Sequence, residues 1–253
     1  MAFDFPPLDC HAHIDPTVTA AQVASLRGAQ VFAMTRTLSE SELGLDNPHA
    51  GIYWGVGAHP AVRSALENWS VDRFTKSAQR TFLVGEVGLD SSRALGPQIA
   101  VFAGTLEHAR DHMISVHSSG RVNAVLDSIE AADARGVVLH WFTGDNDQIA
   151  RAQRLGCFFS VNAAMSDAQL RFLPYDRVIP ETDFPAARSK TRASKPGDIR
   201  ELERRVVQLT QTTEQQVRRH WYVVLGNALR LSGAADSVPA KLTELVDRAA
   251  GEA

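Results

Sequence analysis

Asp9-Cys10-His11-Ala12-His13 sets two imidazoles at positions i and i+2, directly after the apolar lead-in Phe5 to Leu8. On an extended strand the two rings share one face. Side by side at a strand end they can grip one metal ion, and imidazole suits Zn, Mn, Fe or Ni better than Ca. Similar endings recur along the chain. His59 ends Gly55-Val56-Gly57-Ala58-His59-Pro60, and Glu86 lies in Gly85-Glu86-Val87-Gly88-Leu89-Asp90. His117 follows Ile114-Ser115-Val116, His140 follows Val137-Val138-Leu139, and Asp183 sits in Glu181-Thr182-Asp183-Phe184-Pro185. A lone histidine after an apolar run is most often a buried ring bonded to a backbone carbonyl. Many imidazoles and carboxylates gathered at one end of a domain would each incur a desolvation cost, which a metal cluster relieves at once. The remaining histidines, His49, His108, His112 and His220, fall on helices or loops and read as structural or solvated.

The elements that must position these groups alternate regularly. Eight strands are predicted: Leu8 to Ile14, Val31 to Thr37, Ile52 to His59, Phe82 to Asp90, Met113 to Ser118, Val137 to Phe142, Cys157 to Ala163 and Val178 to Phe184. Helical spacing separates most of them. Pro97 to His112 carries Ile99, Phe102, Leu106 and Ala109 on one face, and Arg121 to Arg135 forms a second helix. Asp145 and Asp147 stand where N-caps belong for a helix that Gly156 stops. Strand and helix alternating eight times within 253 residues predicts one α/β domain over 1–253, a (β/α)8 TIM barrel, with a peripheral amphipathic helix around 237–250. In such barrels functional residues sit at the C-terminal ends of the strands, and the candidates above obey that rule.

Composition narrows the classes of function. A net charge of −3 gives no bulk attraction to nucleic acid, so an anionic substrate must be held by a local cluster or by bound metal. Cys10 and Cys157 lie far apart in predicted strands, which suggests neither a disulfide framework nor a thiolate zinc site and fits a reducing compartment. Met1 to Asp9 has no basic or apolar leader, and no run approaches the ~18 apolar residues of a membrane span. A cytoplasmic location is expected, without membrane partners.

The motifs DCHAHID, GVGAHP, VGEVGLD, SVHSSG, VVLHWFTG, PETDFP and the late Asn227-Ala228-Leu229-Arg230-Leu231 resemble, in order and over nearly the whole chain, the TatD family of metal-dependent deoxyribonucleases within the amidohydrolase-like group. HWFTG and the compact loops are also similar to the TatD-like component of the Qat anti-phage defence operons, called QatD, which would imply an antiviral role and protein partners from such an operon. The family resemblance implies two divalent ions, Mg, Mn or Zn. His11, His13 and Asp183 would hold one, His117 and His140 the other, and Glu86 would bridge them. A carboxylate suits bridging, because each of its oxygens can bind one cation of a pair roughly 3.5–4 Å apart. Related phosphotriesterases use a carboxylated lysine there, but no lysine stands near the end of any strand in this chain.

The implied reaction is in-line hydrolysis of a phosphodiester by a water that the metals acidify, with 3′-to-5′ exonuclease action on single-stranded DNA. Asp183 is the candidate base and Glu86 the shared catalytic carboxylate. By the same resemblance His59 would contact the scissile phosphate rather than a metal, against the alternative of a hydrogen bond that supports a ligand. Asp90 shares a strand face with Glu86 and is a candidate for substrate contact or for supporting a ligand. Glu181 shares a face with Asp183 and is a candidate to orient a ligand histidine or, equally, to form an ordinary buried ion pair. Arg121, Arg188 and Arg192, with Lys190 and Lys195, are candidate phosphate contacts, against the alternative of a solvated basic loop. Trp141 or Phe142 could stack on a base, with core packing as the competing account for Phe142.

Two departures from the family pattern bear on substrate. Ser91 and Ser92 stand where many relatives carry aromatic residues, and AARSKTRASKPGD replaces the usual wording after Pro185. Two other functions remain open beside the nuclease. One is a hydrolase of esters or amides, such as a D-aminoacyl-tRNA deacylase. The other is a noncatalytic metal-bound subunit of a defence complex.

Overall fold

The computed structural model describes residues 3–186 and 188–251. Eight strands run in order: β1 Leu8–Ala12, β2 Gln30–Met34, β3 Ile52–Gly55, β4 Leu83–Gly88, β5 Met113–His117, β6 Val138–Leu139, β7 Phe158–Val161 and β8 Val178–Pro180. All pairings are parallel, in the ladders β1-β2-β3 and β4-β5-β6-β7-β8. Two seams close the ring. Val56 donates to the Leu83 carbonyl at 3.1 Å and accepts from Gly85 at 3.0 Å, which joins β3 to β4. Asp183 donates to the His11 carbonyl at 2.9 Å and His13 to the Phe184 carbonyl at 2.7 Å, which joins β8 to β1. The fold is the (β/α)8 barrel expected from the apolar runs.

All eight predicted strands form, but they are shorter than the runs suggest. His13, His59, His140 and Asp183 lie just past the ladders rather than inside them. The apolar pattern continues beyond each ladder because the loops that converge over the barrel are themselves buried, including Val56, Ala58 and Phe142.

The helices follow their caps. Asp145 caps Asn146–Arg154 in a capping box with Gln148, while Asp147 occupies the first turn instead of the cap. The helix predicted to reach His112 ends at His108 in Leu95–His108, and the one predicted to reach Arg135 ends at Ala131 in Val122–Ala131, before Asp133 and Gly136 turn at positive φ. Two helices missed by the sequence reading, Arg200–Thr210 and Glu214–Leu231, follow β8. The longer one covers the barrel's N-terminal end. Its Gln215 Oε1 accepts from the Phe5 amide at 2.7 Å, Arg218 donates to the Phe5 carbonyl at 3.1 Å, and the Tyr222 hydroxyl donates to the Pro6 carbonyl at 3.3 Å.

The expected C-terminal helix spans Ala240–Ala250 and buries Leu242, Leu245, Val246 and Ala249. Each buried leucine or valine there contributes about 1.5–3 kcal/mol of transfer free energy. Cys10 and Cys157 are buried free thiols. No helix among the described residues is long and apolar enough to cross a membrane.

Candidate metal centre

Glu86 is the centre of the cluster. It lies in β4, is almost fully buried, and its two oxygens face different imidazoles. Oε1 is 2.7 Å from His117 Nδ1 and 3.2 Å from His140 Nε2. Oε2 is 3.3 Å from His13 Nε2, 3.4 Å from His59 Nε2 and 3.7 Å from His11 Nε2. Burial alone would raise the Glu86 pKa, but the imidazoles of His11, His117, His13 and His140 outweigh it and hold the carboxyl well below the usual carboxylate range.

Each histidine's role is set by its other nitrogen. His13 Nδ1 meets the Met34 carbonyl at 3.0 Å. A carbonyl only accepts, so Nδ1 carries a proton; burial would lower the His13 pKa, but Glu86 and Asp183 outweigh it and raise it, and a bound cation would displace any second proton to take the Nε2 lone pair. His59 is the reverse case, because its Nδ1 accepts from the Ala61 amide at 3.0 Å. Its Nε2 therefore carries the proton and points a donor into the site. His11 Nδ1 pairs with Ser115 Oγ at 2.8 Å, and its Nε2 is buried with no hydrogen-bond partner. Burial, with His140 stacked on it at 3.9 Å, pushes the His11 pKa down to about 4 and keeps the ring neutral.

Carboxylates support the remaining rings. Glu181 Oε2 is 3.3 Å from His140 Nδ1, and Glu181 is itself held by Ser160 Oγ and by Asn162 Nδ2 at 2.8 Å. Asp90 Oδ2 accepts from His117 Nε2 at 2.7 Å. Asp183 follows β8 in a left-handed backbone conformation, φ 48°, with Oδ1 3.7 Å from His13 Nε2. Burial raises the Asp183 pKa, reinforced by Glu181 and Glu86 and opposed by His140. A divalent cation among these groups would reverse that trend by favouring the charged carboxylate.

The donor set fits a metal. Three groups of potential ligand atoms fall within 4.8 Å of one another: His11, His13 and Asp183; His11, Glu86 and His140; and His59, Glu86 and His117. The orphaned His11 nitrogen is the decisive sign, since an unpaired buried polar atom costs about 1–3 kcal/mol and a cation would satisfy it. In the third group the protonated Nε2 of His59 argues for a hydrogen-bond donor in place of a ligand.

His13, His59, Glu86, His117, His140 and Asp183 border a cleft of about 380 Å³, with Ser118 to Gly120, Trp141, Thr143 and Ala186 forming the rest of its described wall. The expected substrate contacts divide. Asp90 is engaged with His117, which makes it a support for a histidine. Arg121 is not among the described lining residues of the cleft. Arg188, Lys190 and Arg192 are exposed on and just after the short helix Arg188–Thr191, and Lys195 donates to the Ser25 carbonyl. Phe142 is core, with its ring 5.2 Å from Phe159, whereas Trp141 is half-buried at the cleft.

Sequence reasoning missed Asp9. Fully buried, its carboxylate accepts from Thr182 N at 2.9 Å, Thr182 Oγ1 at 2.7 Å, Gly197 N at 2.7 Å and, more weakly, His11 N at 3.4 Å. It thereby ties the first-strand ligands to Thr182, the residue before Asp183. Its one sequence signal is an acid in an otherwise apolar run.

Comparison with known proteins gives a consistent set of likenesses. A family model described as TatD related DNase matches residues 8–231. The chain is 27% identical over 208 residues, covering 74% of it and 78% of the relative, to the 3′-5′ ssDNA/RNA exonuclease TatD of Enterobacter lignolyticus. It is 21% identical to the metal-dependent hydrolase YabD of Bacillus subtilis, covering 88% of this chain and 97% of that one. Among solved structures it is similar to the TatD homolog YJJV of Escherichia coli, with TM-score 0.72, 20% identity and coverage of 88% and 96%. A TatD family hydrolase of Entamoeba histolytica gives TM-score 0.70, 13% identity and coverage of 90% and 98%.

Proposed function

The chain belongs to the family of TatD-related DNases, and from that premise we propose that it is a metal-dependent hydrolase that cleaves phosphodiesters of single-stranded nucleic acid from the 3′ end. The observation that carries this reading is the division of imidazoles between the two oxygens of Glu86, with His117 and His140 on one and His11 and His13 on the other. That arrangement suits two ions sharing one carboxylate, with Asp183 completing the His11 and His13 set. Bound divalent metal would lower the pKa of water and offset charge on the phosphoryl oxygens.

The chain's own groups do the rest. Asp183, at the cleft and beside His13, is placed to take a proton from the attacking water. His59 Nε2–H is a donor for a phosphate oxygen, oriented by the Ala61 amide behind it. Asp90 and Glu181 fix the orientation of His117 and His140. The narrower likeness to the Qat component rests on the HWFTG wording and loop lengths, and the matched relatives do not carry it.

The test incubates protein loaded with Mg, Mn or Zn with 3′- and 5′-end-labelled single-stranded DNA and RNA, beside a D-aminoacyl-tRNA. Stepwise shortening from the 3′ end is expected, and Glu86→Gln should reduce it by on the order of a hundredfold or more. Nucleic acid left unchanged with all three metals sinks the nuclease reading. Release of the amino acid in its place identifies an ester hydrolase. Metal binding without turnover of either substrate identifies a noncatalytic subunit.

A further inference from the structure

Trp141 is not absorbed by the metal chemistry, yet it stands in the cleft next to His140. Among the described lining residues it is the sole Phe, Tyr or Trp. Its backbone is left-handed, φ 38°, a conformation that a bulky L-residue adopts under strain and that clusters at functional sites. Packing accounts for one side of the residue. Trp141 is half-buried and rests against the hydrophobic core, as half-buried Trp69 does, but it also borders the cleft and its indole N–H has no protein acceptor among the described residues. The neighbouring wall is small, formed by exposed Ser119 and Gly120. A Cβ at Gly120 would lie 2.7 Å from Ser91 Oγ and φ there is +63°, so that wall is kept low. The cleft, about 380 Å³, is at the lower end of ordinary ligand pockets, roughly 300–1,000 Å³, which is room for a flat ring with its sugar.

We propose that Trp141 is the base-stacking platform of this site, holding one nucleobase next to the scissile phosphate of a single strand. The inference rests on the nuclease reading of the same cleft. Every base presents a π-face, so stacking grips a strand while tolerating any sequence. That is the grip an acidic protein needs when no arginine or lysine is among the described lining residues of the cleft. A base must be unstacked to reach the ring, which makes single strands the substrate class.

The test compares wild type, Trp141→Ala and Trp141→Phe on short single strands carrying either ordinary bases or one abasic sugar scanned along the 3′ end. Trp141→Ala should raise KM about 5- to 150-fold with kcat within about threefold, and Trp141→Phe should recover much of the loss. The decisive readout is the abasic scan. At one position the Trp141→Ala penalty should vanish, because wild type then has no base to hold. An equal penalty on abasic and ordinary strands, or an unchanged KM while wild type cleaves, overturns the proposal. Binding of the same strands to metal-free protein, followed by fluorescence anisotropy, separates the two readings. Cleavage failing in wild type while binding still depends on Trp141 and on the base refutes the nuclease reading alone. Binding that ignores Trp141 refutes the platform.

Discussion

Gly57→Ala tests whether the cleft depends on how tightly β2, β3 and β4 are drawn together. A Cβ at Gly57 would fall 1.8 Å from the Thr35 carbonyl oxygen and 2.8 Å from the Glu86 amide nitrogen, both backbone atoms that cannot swing aside. Real Cβ atoms keep at least 3.0 Å, so the seam must open by about 1.2 Å. The bond it would break is the one from the Glu86 amide to the Thr35 carbonyl, 3.0 Å, which holds Glu86 among its imidazoles. Unpairing that buried amide costs about 1–3 kcal/mol and the overpacking a further ~1–3 kcal/mol. At about 2–4 °C per kcal/mol for a chain of this size, the Tm should fall by roughly 5–20 °C. Displacing Glu86 by about 1 Å should also weaken hydrolysis on the order of a hundredfold. Gly104→Ala is the matched control. It lies in Leu95–His108, and its Cβ would meet Trp69 at an ordinary 3.6 Å, so helix propensity should stabilise the protein by about 0.5–1 kcal/mol. Differential scanning calorimetry and metal titration report both effects. A Gly57→Ala protein that melts within about 2 °C of wild type and binds metal normally refutes this account.

Three further perturbations follow. Glu181→Gln should keep the fold but lower metal affinity about 10- to 100-fold in calorimetric titration, because His140 loses its buried carboxylate partner. Arg218→Met leaves the buried Glu203 carboxylate without the guanidinium that pairs with it, 3.0 Å from Nη2 to Oε2, and should cost about 3–5 kcal/mol in urea unfolding. Adding Glu203→Leu should recover most of that loss. Asp198→Asn removes a carboxylate that Arg200, with Ser194, holds well below its ordinary value of 3.8. A depressed folded pKa contributes stability above the unfolded value and loses it as pH falls. The gap between wild type and Asp198→Asn, about 1–3 kcal/mol near neutrality, should therefore shrink below about pH 4. A gap that holds constant down to pH 3 contradicts this.

The parts of the fold legible in the sequence were those written locally. A parallel barrel strand is buried on both faces, so it reads as a continuous apolar run, and a polar residue at its end stands out against that background. Glu181 was readable for the same reason as a candidate to orient a ligand histidine, from its shared face with Asp183, but only the fold identifies that histidine as His140. The Asp9 clamp was not, because its donors on Thr182 and Gly197 come from the far end of the chain and closure alone brings them together. Glu214–Leu231 went unread although Val217, Trp221, Leu225 and Ala228 recur at helical spacing, with Gly226 inside the run. Only the packed structure shows why glycine belongs there, as a Cβ would lie 2.5 Å from Val246. The basic residues after Pro185 mark a charged loop in sequence, but the direction of each side chain is a tertiary fact.

The histidines make the same point about chemistry. Five of them end apolar runs in ways that one-dimensional reasoning cannot tell apart, and their roles diverge through groups with no sequence signature of their own. The Met34 carbonyl behind His13 accepts from Nδ1–H and leaves Nε2 available to a cation, while the Ala61 amide behind His59 leaves a proton facing the site. One ring is thereby suited to a cation and the other to an anionic oxygen, although both approach the same Glu86 oxygen within 0.1 Å of each other, at 3.3 and 3.4 Å. Distance to the carboxylate thus fails to separate ligand from substrate contact, and the backbone behind each ring does. His59→Ala should accordingly leave metal stoichiometry unchanged in titration while slowing hydrolysis, whereas His13→Ala should lose bound metal. The reverse outcome would reassign the two rings.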